Sequence, residues 1–212
     1  MAFKRVMIYL FMHRLLKALI FTALVLPLCL KAKAQTADEF SKQYTEFKIR
    51  SSANSNASAI ELGRQLLPQA DKLPEKSRVF FYNMLAKAYE EEKQFDSAQP
   101  LYEKVVVMQP DYYVAHLALG HIYMQKANQE GLLVNVSKGD KAAYQKHLAA
   151  YTAMVNKAIL HLEKVQACDP YDDNLNLIKK LYTSINNTAA IATLDTRVKA
   201  MSSKCVDILI DN

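Results

Sequence analysis

Residues Val79–Pro110 read VFFYNMLAKAYEEEKQFDSAQPLYEKVVVMQP, and their pattern decides the fold. Apolar and aromatic side chains return every three or four positions: Tyr82, Leu85, Ala86 and Tyr89 in the first half, then Ala98, Tyr102 and Val105. A helix with one buried face needs that period, and the two-residue alternation of a half-buried strand is missing. The stretch has no glycine and ends at a proline, which cannot continue a helix. Two helices are predicted, over 77–92 and 95–108.

The same test gives helices over 37–50, 57–70, 111–127, 140–168, 173–186 and 188–203. Glycine is scarce throughout, with four in 212 residues, which removes the commonest helix breaker. Breaks fall at the small polar run 51–58 and at Leu73-Pro74, Gln109-Pro110 and Asp169-Pro170, because the residue before a proline is pushed away from helical geometry. Pro100 falls in the first turns of its helix, where it is partly tolerated, whereas Pro68 is expected to bend or end its helix. The fold class is all-α.

A second copy of the opening pattern follows. Counting from residue 79, Tyr82, Leu85, Ala86, Tyr89, Ala98, Tyr102, Val105 and Pro110 occupy positions 4, 7, 8, 11, 20, 24, 27 and 32 of a 34-residue unit. Counting from residue 113, His116, Leu119, Gly120 and Tyr123 repeat the first four, and Ala158, Leu162, Val165 and Pro170 resume the series after an insertion. The step from Tyr123 to Ala158 is 35 residues where that from Tyr89 to Ala98 is 9, so 26 residues are inserted. A weaker copy starts near 172, with Leu175, Ile178, Tyr182, Ile191 and Val198, and a degenerate pair precedes all of them between 37 and 73. Small residues at positions 8 and 20 let paired helices approach, and the aromatics fill the space between pairs.

This pattern resembles the tetratricopeptide repeat, with its best copies over 79–112 and 113–172. The resemblance implies antiparallel helix pairs, about four of them over 35–212, stacked in a short right-handed solenoid with one pair lengthened by the insertion. It also implies a concave groove lined by first-helix positions 2, 5, 9, 12 and 13. Those positions are Phe80, Asn83, Lys87, Glu90 and Glu91 in the first copy and Val114, Leu117, His121, Met124 and Gln125 in the second. The alternative is that about half of these side chains contact neighbouring helices. The ordered lysines and asparagines by which some family members clamp a terminal carboxylate are missing. The leader and the run 169–201 are similar to those of exported tetratricopeptide proteins of Bacteroidetes-type bacteria.

Residues 1–34 read as a cleaved signal peptide: Lys4, Arg5, Arg14 and Lys17 lead, Ala18–Leu30 is uncharged and apolar, and Ala32-Lys33-Ala34 precedes Gln35. The apolar run is shorter than the about 20 residues a membrane span requires, so no stable span is expected. Leu28 before Cys29 argues against lipid attachment. Six of the 27 basic residues lie in this leader and no acidic one does, which leaves 21 of each sign after it; the net charge of +6 therefore belongs to the leader. No basic footprint for nucleic acid remains. The expected location is the periplasm or cell envelope.

The chemistry of the remaining chain is sparse. Four scattered glycines cannot build a phosphate-binding loop, and the short motifs of zinc peptidases and serine hydrolases are missing. No catalytic residue, cofactor or metal is assigned. His116 is read as filling an aromatic packing position, with His121, His147 and His161 at the surface or in the groove; His147 and His161 are placed on one helix face. Glu90, Glu91, Glu92 and Glu103 are read as a solvated acidic face. Export makes a Cys168–Cys205 bridge chemically possible, but two buried thiols are the favoured reading. In the insertion, Leu132, Leu133, Val134 and Val136 either form a loop that docks on a partner or tuck against the lengthened helices. The expected function is a non-enzymatic scaffold holding another protein or peptide of the cell envelope. The alternative is a small-ligand or glycan binder using Tyr144, His147, Tyr151 and the insertion.

Overall fold

The computed structural model describes residues 37–211, so the expected leader and Cys29 lie outside the described residues. Eight α-helices make up the described chain: α1 Ala37–Ser52, α2 Asn56–Leu66, α3 Glu75–Glu91, α4 Phe95–Met108, α5 Tyr113–Val136, α6 Lys141–Cys168, α7 Asp172–Ser184 and α8 Leu194–Met201. Two 3-10 turns, Leu67–Lys72 and Thr188–Thr193, lead into α3 and α8. No described helix is long and apolar enough to cross a membrane. The chain divides between Lys42 and Gln43, within α1. Of the first unit, Ala37–Lys42 are described, and there Lys42 pairs with Asp38 at 2.7 Å on an exposed face. The second unit, Gln43–Asn212, holds all the packing that follows.

From α2 to α7 each helix packs on its neighbour in sequence, antiparallel to it, and α6 also packs on α8. The turns follow from the sequence. Leu73, Gln109 and Asp169, each before a proline, have left helical geometry. Pro68 turns the end of α2 into a 3-10 segment, and Pro100 is carried inside α4. Asn54, Lys93 and Asn186 take positive φ where α1, α3 and α7 stop, a conformation that asparagine tolerates better than lysine. Asp140 caps α6 with its side chain, accepting the Ala142 and Ala143 amides at 2.9 and 3.1 Å.

Two contacts explain why small residues recur at helix crossings. A Cβ on Gly63 would fall 2.6 Å from Leu85 Cδ1 and 3.1 Å from the Phe47 ring. One on Gly120 would fall 2.8 Å from Leu162 Cδ2. Ala86, Ala98 and Ala158, at repeat positions 8 and 20, are fully buried, as is Ala115. Around Gly63 the rings of Phe47 and Phe81 meet edge to face at 4.9 Å. Around α6, Val155, Ile159, Leu162, Ile178, Tyr182 and Leu194 form the second part of the core.

The structure corrects the sequence reading at several points of the fold. The helix predicted to end at 127 continues to Val136, so the insertion lengthens both helices of the α5–α6 pair and is not a loop; the nine further residues contain no proline, and Gly131 and the polar residues among them do not stop the helix. The helix predicted over 188–203 is a 3-10 turn followed by a short α8. Cys168 and Cys205 are not two thiols; they form a disulfide, with Cα atoms 5.5 Å apart. His161 is not a surface residue; it is buried, while His147 stays half-exposed, and both turn toward α5, where His161 meets His116 at 3.0 Å and His147 bonds Glu130 at 2.8 Å.

Candidate functional site

The ten carried-over groove positions lie on α3 and α5, and none of them is buried. Several are committed to neighbours. Glu90 accepts the Tyr102 hydroxyl of α4 at 2.6 Å, and Asn83 donates to the Tyr112 hydroxyl at 3.5 Å. Met124 packs against the core around α6. Lys87 and Glu91 pair with each other at 3.7 Å on the exposed face of α3. Val114, His121 and Gln125 are exposed on α5, and Phe80 and Leu117 are half-exposed.

The distal end of the α5–α6 hairpin presents Leu132 and Val136, 68% and 80% exposed, with Leu133 beside them and Val134 half-buried. A depression of about 560 Å³ opens there, lined by Asn128, Leu132, Val134, Leu148, Tyr151 and Ser184 among others. The Tyr151 hydroxyl donates to Ser184 Oγ at 2.9 Å, which ties α6 to the end of α7. Tyr144 and His147 do not line it.

Between α4, α5 and α6 the structure brings together side chains that sequence reasoning kept apart. His116 Nε2 lies 3.1 Å from the Pro110 carbonyl, which can only accept, so that nitrogen carries the hydrogen. Nδ1 of His116 then accepts from Nδ1 of His161 at 3.0 Å. The His161 ring stacks on Tyr123 with a 1° interplanar angle, and the Tyr123 hydroxyl donates to Glu103, which also receives Gln99 at 2.8 Å. Burial, and then the adjacent His116, push the His161 pKa down to about 4; burial lowers that of His116 as well. Partial burial pulls the Glu103 carboxyl upward, but the bonds from Tyr123 and Gln99 hold it below its usual value. Glu103 and Glu90 are therefore bonded acceptors within the stack, which corrects the reading of this acidic group as a solvated face; Glu91 and Glu92 do remain exposed. Among the described residues no three His, Cys, Asp or Glu side chains converge to hold a metal ion.

The segment after α8 is the largest feature that sequence reasoning missed. It runs back along helix ends as a strap. Cys205 is bonded to Cys168 at the end of α6. The Val206 amide donates to the Asp111 carbonyl at 2.7 Å, and its carbonyl accepts the Tyr113 amide at 3.2 Å, an isolated parallel pairing at the start of α5. The Lys164 ammonium, with its side chain 9% exposed, bonds Asp111 Oδ1 at 2.9 Å and the Lys204 carbonyl at 2.5 Å. Asp211 reaches α1, where its carboxylate accepts from the Tyr44 hydroxyl at 3.0 Å and from Lys48 at 2.8 Å. Burial pulls this carboxyl upward, but its donors hold it below the usual range. A signal for the strap existed, namely two cysteines in a chain read as exported.

No protein-family model, curated protein or solved structure matches the chain.

Proposed function

We propose that the chain is a tetratricopeptide-like scaffold, exported to the periplasm or cell envelope, whose helix pairs stack as a short right-handed solenoid and hold another protein or peptide there. One observation supports this above others. The small residues at the repeat positions are buried at helix crossings, as with Gly120 against Leu162, while the intervening positions Val114, Leu117, His121 and Gln125 keep open side chains. A repeat that spends its small residues on stacking leaves one helix face free for a partner. The disulfide is weakly consistent with an oxidising compartment. No catalytic role is proposed.

The test is a photo-crosslinking amino acid placed at Leu117 or His121 in the cell that makes the chain, with exposed Leu160 of α6 as the control position. The expected result is an adduct of discrete mass from Leu117 and His121, absent from Leu160 and weakened by Val114→Glu. Adducts indistinguishable between the two faces, or none at any position, would sink the reading.

A second reading, a glycan or small-ligand binder, draws on the depression at the hairpin end, where the Tyr151 ring stands beside Asn128, Asn135 and Ser184. A rise in melting temperature with envelope saccharides, abolished by Tyr151→Ala, would favour it.

A further inference from the structure

The strap is anchored at both ends and poorly seated between them. Cys205 and Val206 hold one end and Asp211 the other, yet among the described residues 207–210 make no backbone hydrogen bond to the helices. Ile208 and Ile210 stay 68% and 63% exposed, although an apolar surface is near. That surface is a cavity of about 520 Å³, lined by Glu75, Lys76, Val79 and Met108 on the helix side and by the strap, whose Ile208 and Ile210 border it while staying largely exposed. The seam thus offers four things: a carbonyl and an amide at Asp111 and Tyr113 that pair with extended main chain, a mainly apolar cavity walled in part by the strap itself, a nearly buried ammonium at Lys164 that takes a main-chain carbonyl, and a carboxylate receptor at Tyr44 and Lys48.

We propose that this seam is a binding site for an extended apolar peptide bearing a carboxylate, and that the strap is its resident competitor, held in place by the Cys168–Cys205 bond. Main-chain pairing supplies affinity in such recognition, and pockets for alternate side chains supply selectivity. The tether keeps the strap at a high effective concentration, so a weakly fitting segment excludes a better one until the tether is cut. Cys205 is exposed, so thiols can reach the bond. The seam lies at helix ends and not on the open faces of α3 and α5, so this site stands or falls independently of the scaffold reading.

The probe is a fluorescein-labelled peptide of residues 204–212 with serine in place of its cysteine. It is titrated into the oxidised full chain and into the chain reduced by dithiothreitol, which gives two electrons and two protons to the S–S bond and closes into its own cyclic disulfide. A third arm uses the full chain with Cys205→Ser and Asp211→Asn, which weakens both anchors. The expected result is saturable binding that tightens at least tenfold from the oxidised chain to the doubly substituted one. It is lost from a peptide carrying Ile208→Asp and accompanied by slower amide exchange at Tyr113. Equal binding to oxidised and reduced chains overturns the proposal, as does no saturable binding to either unlatched form. Circular dichroism shows whether the substituted chain is folded; if it is not, the reduced natural chain decides alone.

Discussion

Gly120 carries more of the fold than its size suggests, because the α5–α6 crossing is only as close as its missing side chain allows. A methyl there would meet Leu162 Cδ2 at 2.8 Å and Cγ at 3.0 Å, and the branch carbon cannot turn aside without moving the whole buried residue. Gly120→Ala is expected to lower stability by about 1–2 kcal/mol, since overpacking outweighs the gain of about 1 kcal/mol in helix propensity. Gly131, in the same helix, would place its methyl 3.5 Å from the Tyr151 ring, an ordinary contact, so Gly131→Ala should keep the propensity gain and stabilise. Urea midpoints of the two variants are expected to move in opposite directions; movement the same way would refute the packing argument. The histidine pair makes a second prediction. His161 titrates near 4 in the folded chain and near 6.5 unfolded, and His116 shifts in the same sense, so between those values the unfolded chain binds protons that the folded one excludes. Stability should therefore fall as pH drops from about 6.5 to about 4, with melting lowered by roughly 5–10 °C. The groups facing the pair are Asp111, Lys164, Glu103, Lys157 and Tyr123, and none of them reverses that sign. Replacement by His161→Gln should flatten this part of the profile, and an unchanged slope in that variant would place the acid sensitivity elsewhere.

At the scale of the elements, legibility followed local chemistry. The helix α4 could be read to its last residue because Gln109-Pro110 stops it and a three-to-four period fills it. Position 8 of the second repeat, Gly120, could be read as a close approach because only a small residue suits a tight crossing. What escaped were features set by partners distant in sequence. His116 and His161 are 45 residues apart and meet only because α5 and α6 lengthen together, which returns the two helices to register after the insertion. The end of α5 was misplaced because Asn128–Val136 mixes polar residues with exposed aliphatics, and a helix supported on one side only has a weak periodic signal. The strap has no helical period at all. Its seat is built from the ends of four helices and the side of α1, and no local rule assembles those. The open positions on α3 and α5 were implied by a resemblance and not by local chemistry, and Glu90, Asn83 and Met124 show where neighbours claim such positions first.

For the whole molecule, packing that runs mainly from neighbour to neighbour has a thermodynamic consequence. A stack of this kind gains stability as a sum of local interfaces, so distant parts are coupled only through what lies between them. The strap breaks that rule, since it joins the end of α6 to the start of α5 and to Tyr44 and Lys48 of α1. The disulfide closes a sequence separation of 37 residues, which the chain-entropy model values at about 3–4 kcal/mol. More important than that increment is where the restraint leads, because beyond Cys205 the strap also pairs with the start of α5 and reaches Tyr44 and Lys48 of α1. In the oxidised chain, helix content and the packing around Phe81 and around Leu162 should be lost together in one steep urea transition. After reduction and thiol blocking, the midpoint should fall and the slope should become shallower, because the half around Phe47 and Phe81 can then melt apart from the half around α6. Amide exchange in α3 and in α6, followed against urea, separates the two cases: shared opening energies before reduction and distinct ones after it. Identical slopes and a single opening energy in both states would mean that the α4–α5 interface already couples the halves and that the strap adds stability without cooperativity.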